Sequence, residues 1–166
     1  DQGLHQPLFT LVSCAWLHAH VTHLLANLLG LVLITALAWV MRTPAPFAMA
    51  WLLAWPLTHL ALLLDPRLHS YYGMSGVLHA GATLVAVPLA FSTPIQRTTS
   101  ERAIGALLLF GIPLKCVLEN PRMQAVIERP DLHMQVAPLS HLSGFLVGLA
   151  LGVGMLLLRS PSKSRP

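Results

Sequence analysis

The chain has 166 residues, enough for one domain. Hydrophobic residues make up 55% of it and charged residues only 10%, with a formal net charge of +4, whereas a soluble domain carries about 25% charged residues to solvate its surface. Ten Lys+Arg and six Asp+Glu cannot coat a water-facing globule of this size, which excludes a soluble enzyme, a disordered segment and a nucleic-acid-binding domain, and leaves an all-α polytopic membrane protein.

A membrane-spanning helix needs roughly 20 mainly apolar residues, and five runs qualify, at about 22–41, 46–64, 74–92, 102–118 and 137–158. The first opens at His23-Leu-Leu-Ala-Asn27 and ends where Thr43-Pro-Ala-Pro46 interrupts it, because proline cannot continue a helix. The second ends at Asp65-Pro66-Arg67. The third starts at Gly73-Met74-Ser75-Gly76 and stops before Ser92-Thr93-Pro94. The fourth covers Arg102 to Leu118, and a polar loop, Glu119 to Ala137, leads to the fifth. This pattern predicts one transmembrane domain over 1–158 and a short basic cytoplasmic tail, 159–166.

Cations mark the cytoplasmic side of a membrane protein. Arg42, Arg97, Arg102, Arg159, Lys163 and Arg165 share one side with Glu101, six cations against one acid, a net +5. Arg67, Lys115, Arg122 and Arg129 share the other with Asp1, Asp65, Glu119, Glu128 and Asp131, a net −1. The C-terminus is therefore expected inside and Asp1 outside. A chain that starts outside with polar Asp1-Gln2-Gly3 sets the expectation of a further hydrophobic helix ahead of it.

Ionisable groups at mid-bilayer cost about 2.5–3.5 kcal/mol each on insertion scales, so polar residues inside spans point to function. His23 and Asn27 lie on one face near the outer end of the first span. Ser75 sits between Gly73 and Gly76 at the outer end of the third, with His79 one turn below. His141 opens the last span, ahead of Gly144, Gly148 and Gly152. A serine hydroxyl is a weak nucleophile until a base takes its proton, and histidine is the usual base near neutral pH. The glycine series is a small-xxx-small stripe that lets two helices approach closely, which places His141 where it can meet Ser75 if these two helices pair. His23 and Asn27 can then donate to an oxyanion.

The set His23-x-x-x-Asn27, Gly73-x-Ser75-Gly76 and His141-x-x-Gly144-x-x-x-Gly148 resembles the rhomboid intramembrane serine proteases, and the resemblance runs from Leu8 to Leu158. His18 also falls where rhomboids often have a histidine. Within the family, Gly73-Met-Ser75-Gly76-Val-Leu-His79 looks most like the rhombosortase branch, which has histidine four residues after the serine where other rhomboids often have tyrosine; Lys115 and Glu119 resemble that branch too. The resemblance implies a rhomboid-like bundle with five of the usual six core helices present. It makes Ser75 the nucleophile, His141 its general base, and Asn27, His23 and the Ser75 backbone N–H the oxyanion site. His79, Gly73, Gly76, Gly144 and Gly148 would support them. No cofactor or metal is implied. The substrates would be membrane-anchored proteins with C-terminal transmembrane tails of the Gly-Gly type, cut at the periplasmic side of the bacterial inner membrane.

Other readings stand beside these. A general rhomboid protease is the nearest alternative. The run His18-x-His20-x-x-His23 raises a haem- or metal-binding membrane protein, although no HExxH motif occurs. An inactive rhomboid-like binding protein is disfavoured by the presence of both Ser75 and His141. His79 either supports the site or packs beside it, His18 and His20 read as structural or solvated, and His59 as a helix contact. Trp39, Trp51 and Trp55 read as lipid or interface anchors. Cys14 and Cys116 both fall toward the outer side, so a disulfide between them is conceivable; two cysteines make neither a disulfide scaffold nor a zinc site.

Overall fold

The computed structural model describes residues 9–68, 71–91, 97–132 and 134–159. His5, His69 and His133 and the tail from Ser160 lie outside them. A short turn α1 (Thr10–Ser13) runs into a 3₁₀ turn, Cys14–Trp16. Five long helices follow: α2 (Val21–Val40), α3 (Ala45–Leu60, extended by a 3₁₀ turn to Leu64), α4 (Ser75–Phe91), α5 (Thr99–Leu118) and α6 (Pro138–Arg159). The five expected spans are these five helices, and the chain is a helical membrane bundle. Three are long and apolar enough to cross a bilayer by length and composition, with mean hydropathy 2.0, 1.7 and 2.0 for Val21–Val40, Ala45–Leu64 and Pro138–Leu158.

The helix ends follow local chemistry. Proline at the first turn starts α3, where its missing N–H costs nothing. Helix α5 begins three residues before the expected Arg102, because Thr98 and Glu101 form a capping box in which each side chain accepts from the other's backbone N–H. The polar loop after α5 is not wholly irregular. It holds a small antiparallel hairpin, β1 (Ile127–Arg129) with β2 (Met134–Val136), in register Glu128 to Gln135.

Helix α4 is the centre of the bundle, packed on α2, α3, α5 and most extensively on α6. Its small residues make that possible. A Cβ added at Gly144 would lie 2.0 Å from the Gly76 carbonyl oxygen, and one at Gly148 would lie 2.6 Å from that of Ala80. The stripe on α6 is thus a seam in which the two backbones nearly touch. Phe47, Ala54, Leu84 and Val87 belong to one buried hydrophobic cluster.

Trp51 departs from its expected role as a lipid anchor. Its indole N–H donates to the Val77 carbonyl at 2.7 Å, and its ring fills the gap left by Gly81, because a buried indole needs an acceptor and α4 offers one. Trp39 remains 84% exposed, as an anchor should be. Cys14 and Cys116 are free thiols: Cys116 is buried, and the Cys14 sulfur lies 3.4 Å from His59 Nδ1.

The two ends of the bundle differ in charge. At one end Arg97 donates to the carbonyls of Met41 and Arg42 and pairs with Glu101, tying the α2–α3 link to α5. At the other, Asp65 accepts from Arg67 at 2.8 and 2.9 Å, and Arg67 reaches the carbonyls of Pro121 and Arg122. The Arg67 guanidinium holds the Asp65 carboxyl below the usual carboxylate range.

Candidate active site

Ser75 is the first residue of α4, and the turn before it is set by Gly73. Gly73 has φ +105°, a conformation open to glycine, and a Cβ there would lie 2.6 Å from His23 Cε1. Its N–H donates to the Cys14 carbonyl at 2.9 Å, which fixes the turn to the N-terminal segment. His141 sits in the first turn of α6. The seam of Gly76 and Gly144 brings that turn onto the start of α4, and His141 Nε2 comes to 3.0 Å from Ser75 Oγ. A hydroxyl in this contact can pass its proton to the imidazole as it attacks a carbonyl carbon.

His79 touches both partners. Its ring stacks on His141 with centroids 4.1 Å apart and planes 15° from parallel, and its Nδ1–H donates to the Ser75 carbonyl at 2.7 Å. His79 thus packs against the His141 ring and contacts the Ser75 backbone.

His23 and Asn27, both buried on α2, face Gly73, and with Ser75, His79 and His141 they line one cavity of about 470 Å³. Asn27 Nδ2–H donates to His18 Nε2 at 2.8 Å, and the His18 ring meets His23 edge to face at 5.0 Å. His18 is thus tied to the Asn27 amide rather than solvated. That bond uses one Asn27 amide hydrogen and leaves the other for a further acceptor.

One contact was not legible as part of the site. His141 Nδ1 lies 2.6 Å from Glu119 Oε2, and Lys115 Nζ lies 2.6 Å from Glu119 Oε1 and 3.0 Å from the same Nδ1. Lys115 and Glu119 attract notice by resemblance alone, with no role attached. A physical signal was available. Glu119 is the C-cap of α5, where the helix dipole disfavours an acid, so a carboxylate there needs compensating donors. Burial pushes the Glu119 carboxyl up, but the hydrogen bond from His141 and the Lys115 ammonium outweigh it and bring it down to about 2. With its value depressed, Glu119 stays ionised until pH falls toward that figure, and what the carboxylate contributes to stability is complete above its ordinary value of 4.5 and is lost progressively as pH falls from there through about 2.

The motifs, the glycine seam and the Ser75–His141 contact share one architecture, and a family model described as the Rhomboid domain matches residues 5–158. The chain belongs to the rhomboid family. No curated protein and no solved structure matches it. Rhomboids are intramembrane serine proteases that act on membrane protein substrates, and this rhomboid is a multi-pass membrane protein of that kind.

Proposed function

We propose that this rhomboid is an intramembrane serine endopeptidase of the rhombosortase type, with Ser75 as nucleophile and His141 as general base. The observation that carries the reading is the 3.0 Å contact between Ser75 Oγ and His141 Nε2, two residues that line one open cavity. Proton transfer to Nε2 accompanies formation of the Oγ–C bond. The carbonyl electron pair moves to oxygen, where Asn27, His23 and the Ser75 backbone N–H donate to it. Collapse breaks the C–N bond, and the proton passes from Nε2 to the leaving amine.

Replacing Asn27 by Ala keeps Ser75 and His141 but removes an oxyanion donor. The expected result is a fall in kcat of roughly 10²–10³-fold with little change in KM. Cleavage at the wild-type rate would exclude Asn27 from the oxyanion site.

The proposed setting is the bacterial inner membrane, with the basic end of the bundle and the 159–166 tail in the cytoplasm and Ser75 toward the periplasm. The charge asymmetry of +5 against −1 supports it. Helix α4 has 17 residues, about 25 Å at 1.5 Å per residue, which is less than the roughly 30 Å hydrocarbon core. A nucleophile at its outer end is then reached below the membrane surface, through the cavity.

The proposed substrates are exported proteins held by a C-terminal transmembrane tail, cut at a Gly-Gly junction. A transmembrane helix resists hydrolysis because its backbone groups bond one another, and each glycine weakens helix by about 1 kcal/mol relative to Ala. Tail-anchored reporters with Gly-Gly or Leu-Leu at the junction test this when co-expressed with the protein. Selective cleavage of Gly-Gly is expected; equal cleavage of both would leave a general rhomboid protease as the better description.

A further inference from the structure

Three groups compete around the His141 ring, and their positions determine which nitrogen carries the proton. Nε2 faces Ser75 Oγ at 3.0 Å, while Nδ1 faces both Glu119 Oε2 at 2.6 Å and Lys115 Nζ at 3.0 Å. Neutral imidazole has one donor nitrogen and one acceptor nitrogen. A carboxylate only accepts, so Glu119 requires Nδ1–H and leaves Nε2 bare toward Ser75. An ammonium only donates, so Lys115 bonded to Nδ1 would put the proton on Nε2 and leave no base for Ser75. The other groups facing the ring from neighbouring helices are His79 on α4 and His23 on α2.

We propose that Glu119 is a positioning residue that holds His141 in the tautomer able to take the Ser75 proton, while its second oxygen engages Lys115 and keeps the ammonium from donating to Nδ1. This rests on the Ser75–His141 reading. Once the proton has moved to Nε2, the imidazolium charge faces the Glu119 carboxylate across the 2.6 Å contact at Nδ1. Lys115 then has a double character. It anchors Glu119 when the carboxylate is present and becomes an antagonist when it is not.

The antagonism gives a test that a merely structural residue would not pass. In Glu119→Gln, Lys115 draws the amide oxygen and turns the amide NH₂ toward Nδ1, so both neighbours impose the inactive tautomer. The expected result is a fall in kcat of roughly 10²–10⁴-fold with KM little changed, as for other triads given the wrong tautomer. Adding Lys115→Met frees the amide to flip, and the double variant should recover at least about tenfold over Glu119→Gln. Wild-type turnover in Glu119→Gln, or a double variant no faster than the single, overturns the proposal.

A measurement on the unaltered chain does not depend on any variant's activity. In protein with ¹⁵N-labelled histidine, the His141 resonances, assigned by their loss in His141→Ala, should report Nδ1–H and a bare Nε2 at neutral pH. A majority Nε2–H tautomer overturns the proposal even if Glu119→Gln does not fold. Ser75→Ala separates the two levels. Cleavage that persists in it removes the underlying reading and this inference together, whereas lost cleavage in Ser75→Ala with full activity in Glu119→Gln removes only the role of Glu119.

Discussion

Ser75→Ala is expected to abolish cleavage of a membrane-anchored reporter, and His141→Ala to reduce kcat almost as far, by roughly 10⁴–10⁶-fold in each case. The two effects should not add. A hydroxyl without its base stays protonated, and a base without its hydroxyl has nothing to deprotonate, so the double variant should be no slower than either single one. Both variants should remain folded, because the α4–α6 seam that brings the residues together is built from Gly76, Gly144 and Gly148 rather than from the Ser75–His141 contact. Reporter cleavage in membranes, read with the thermal unfolding midpoint of each purified variant, checks both halves. Full activity in His141→Ala would remove it as the base.

The second large effect belongs to the seam itself. Gly144→Ala places a methyl 2.0 Å from the Gly76 carbonyl oxygen, 2.8 Å from its carbon and 3.3 Å from the Ala80 nitrogen. These are backbone atoms of the central helix, so the clash is relieved only by moving α6 away from α4. Overpacking in a close-packed core costs about 1–3 kcal/mol and sometimes more, and separation here also pulls His141 from Ser75. Loss of activity together with a lower unfolding midpoint is expected. Gly111→Ala and Gly154→Ala supply the contrast. Nothing lies within 4 Å of a Cβ at either position, and glycine is a poorer helix former than alanine by about 1 kcal/mol. Those variants should be as stable as the parent or slightly more so, with activity retained. Equal destabilisation by all three would mean that general loss of glycine, not the seam, is responsible.

The sequence carries the bundle because lipid imposes a strong code. Runs such as His23–Val40 and Pro138–Leu158 are too apolar to be anything but spans, and helix is the form that satisfies their backbone in a bilayer. Four site positions, His23, Asn27, Ser75 and His141, are conspicuous for the same reason, as polar groups set among leucines. What stayed hidden was whatever depends on contact between distant segments. The partnership of His141 with Glu119 spans 22 residues, across a loop whose polar residues look merely solvated. Trp51 looks like any interfacial tryptophan until α4 presents the Val77 carbonyl to it. His18 seems loop-bound until α2 turns Asn27 toward its ring. The β1–β2 hairpin is three residues per strand, too short for an alternating pattern to stand out. The early start of α5 was legible in principle, since Thr98 and Glu101 have capping-box spacing, but an apolar run does not reveal its polar first turn.

If His141 activates Ser75 as a nucleophile, Ser75 should react with a serine-directed phosphonylating probe. Treating the full chain in membranes with a fluorophosphonate and mapping the adduct by mass spectrometry tests it without knowledge of the substrate. A single modified serine, Ser75, is expected, with labelling absent in Ser75→Ala and strongly slowed in His141→Ala. An adduct on another residue, or labelling that persists undiminished in Ser75→Ala, would contradict it.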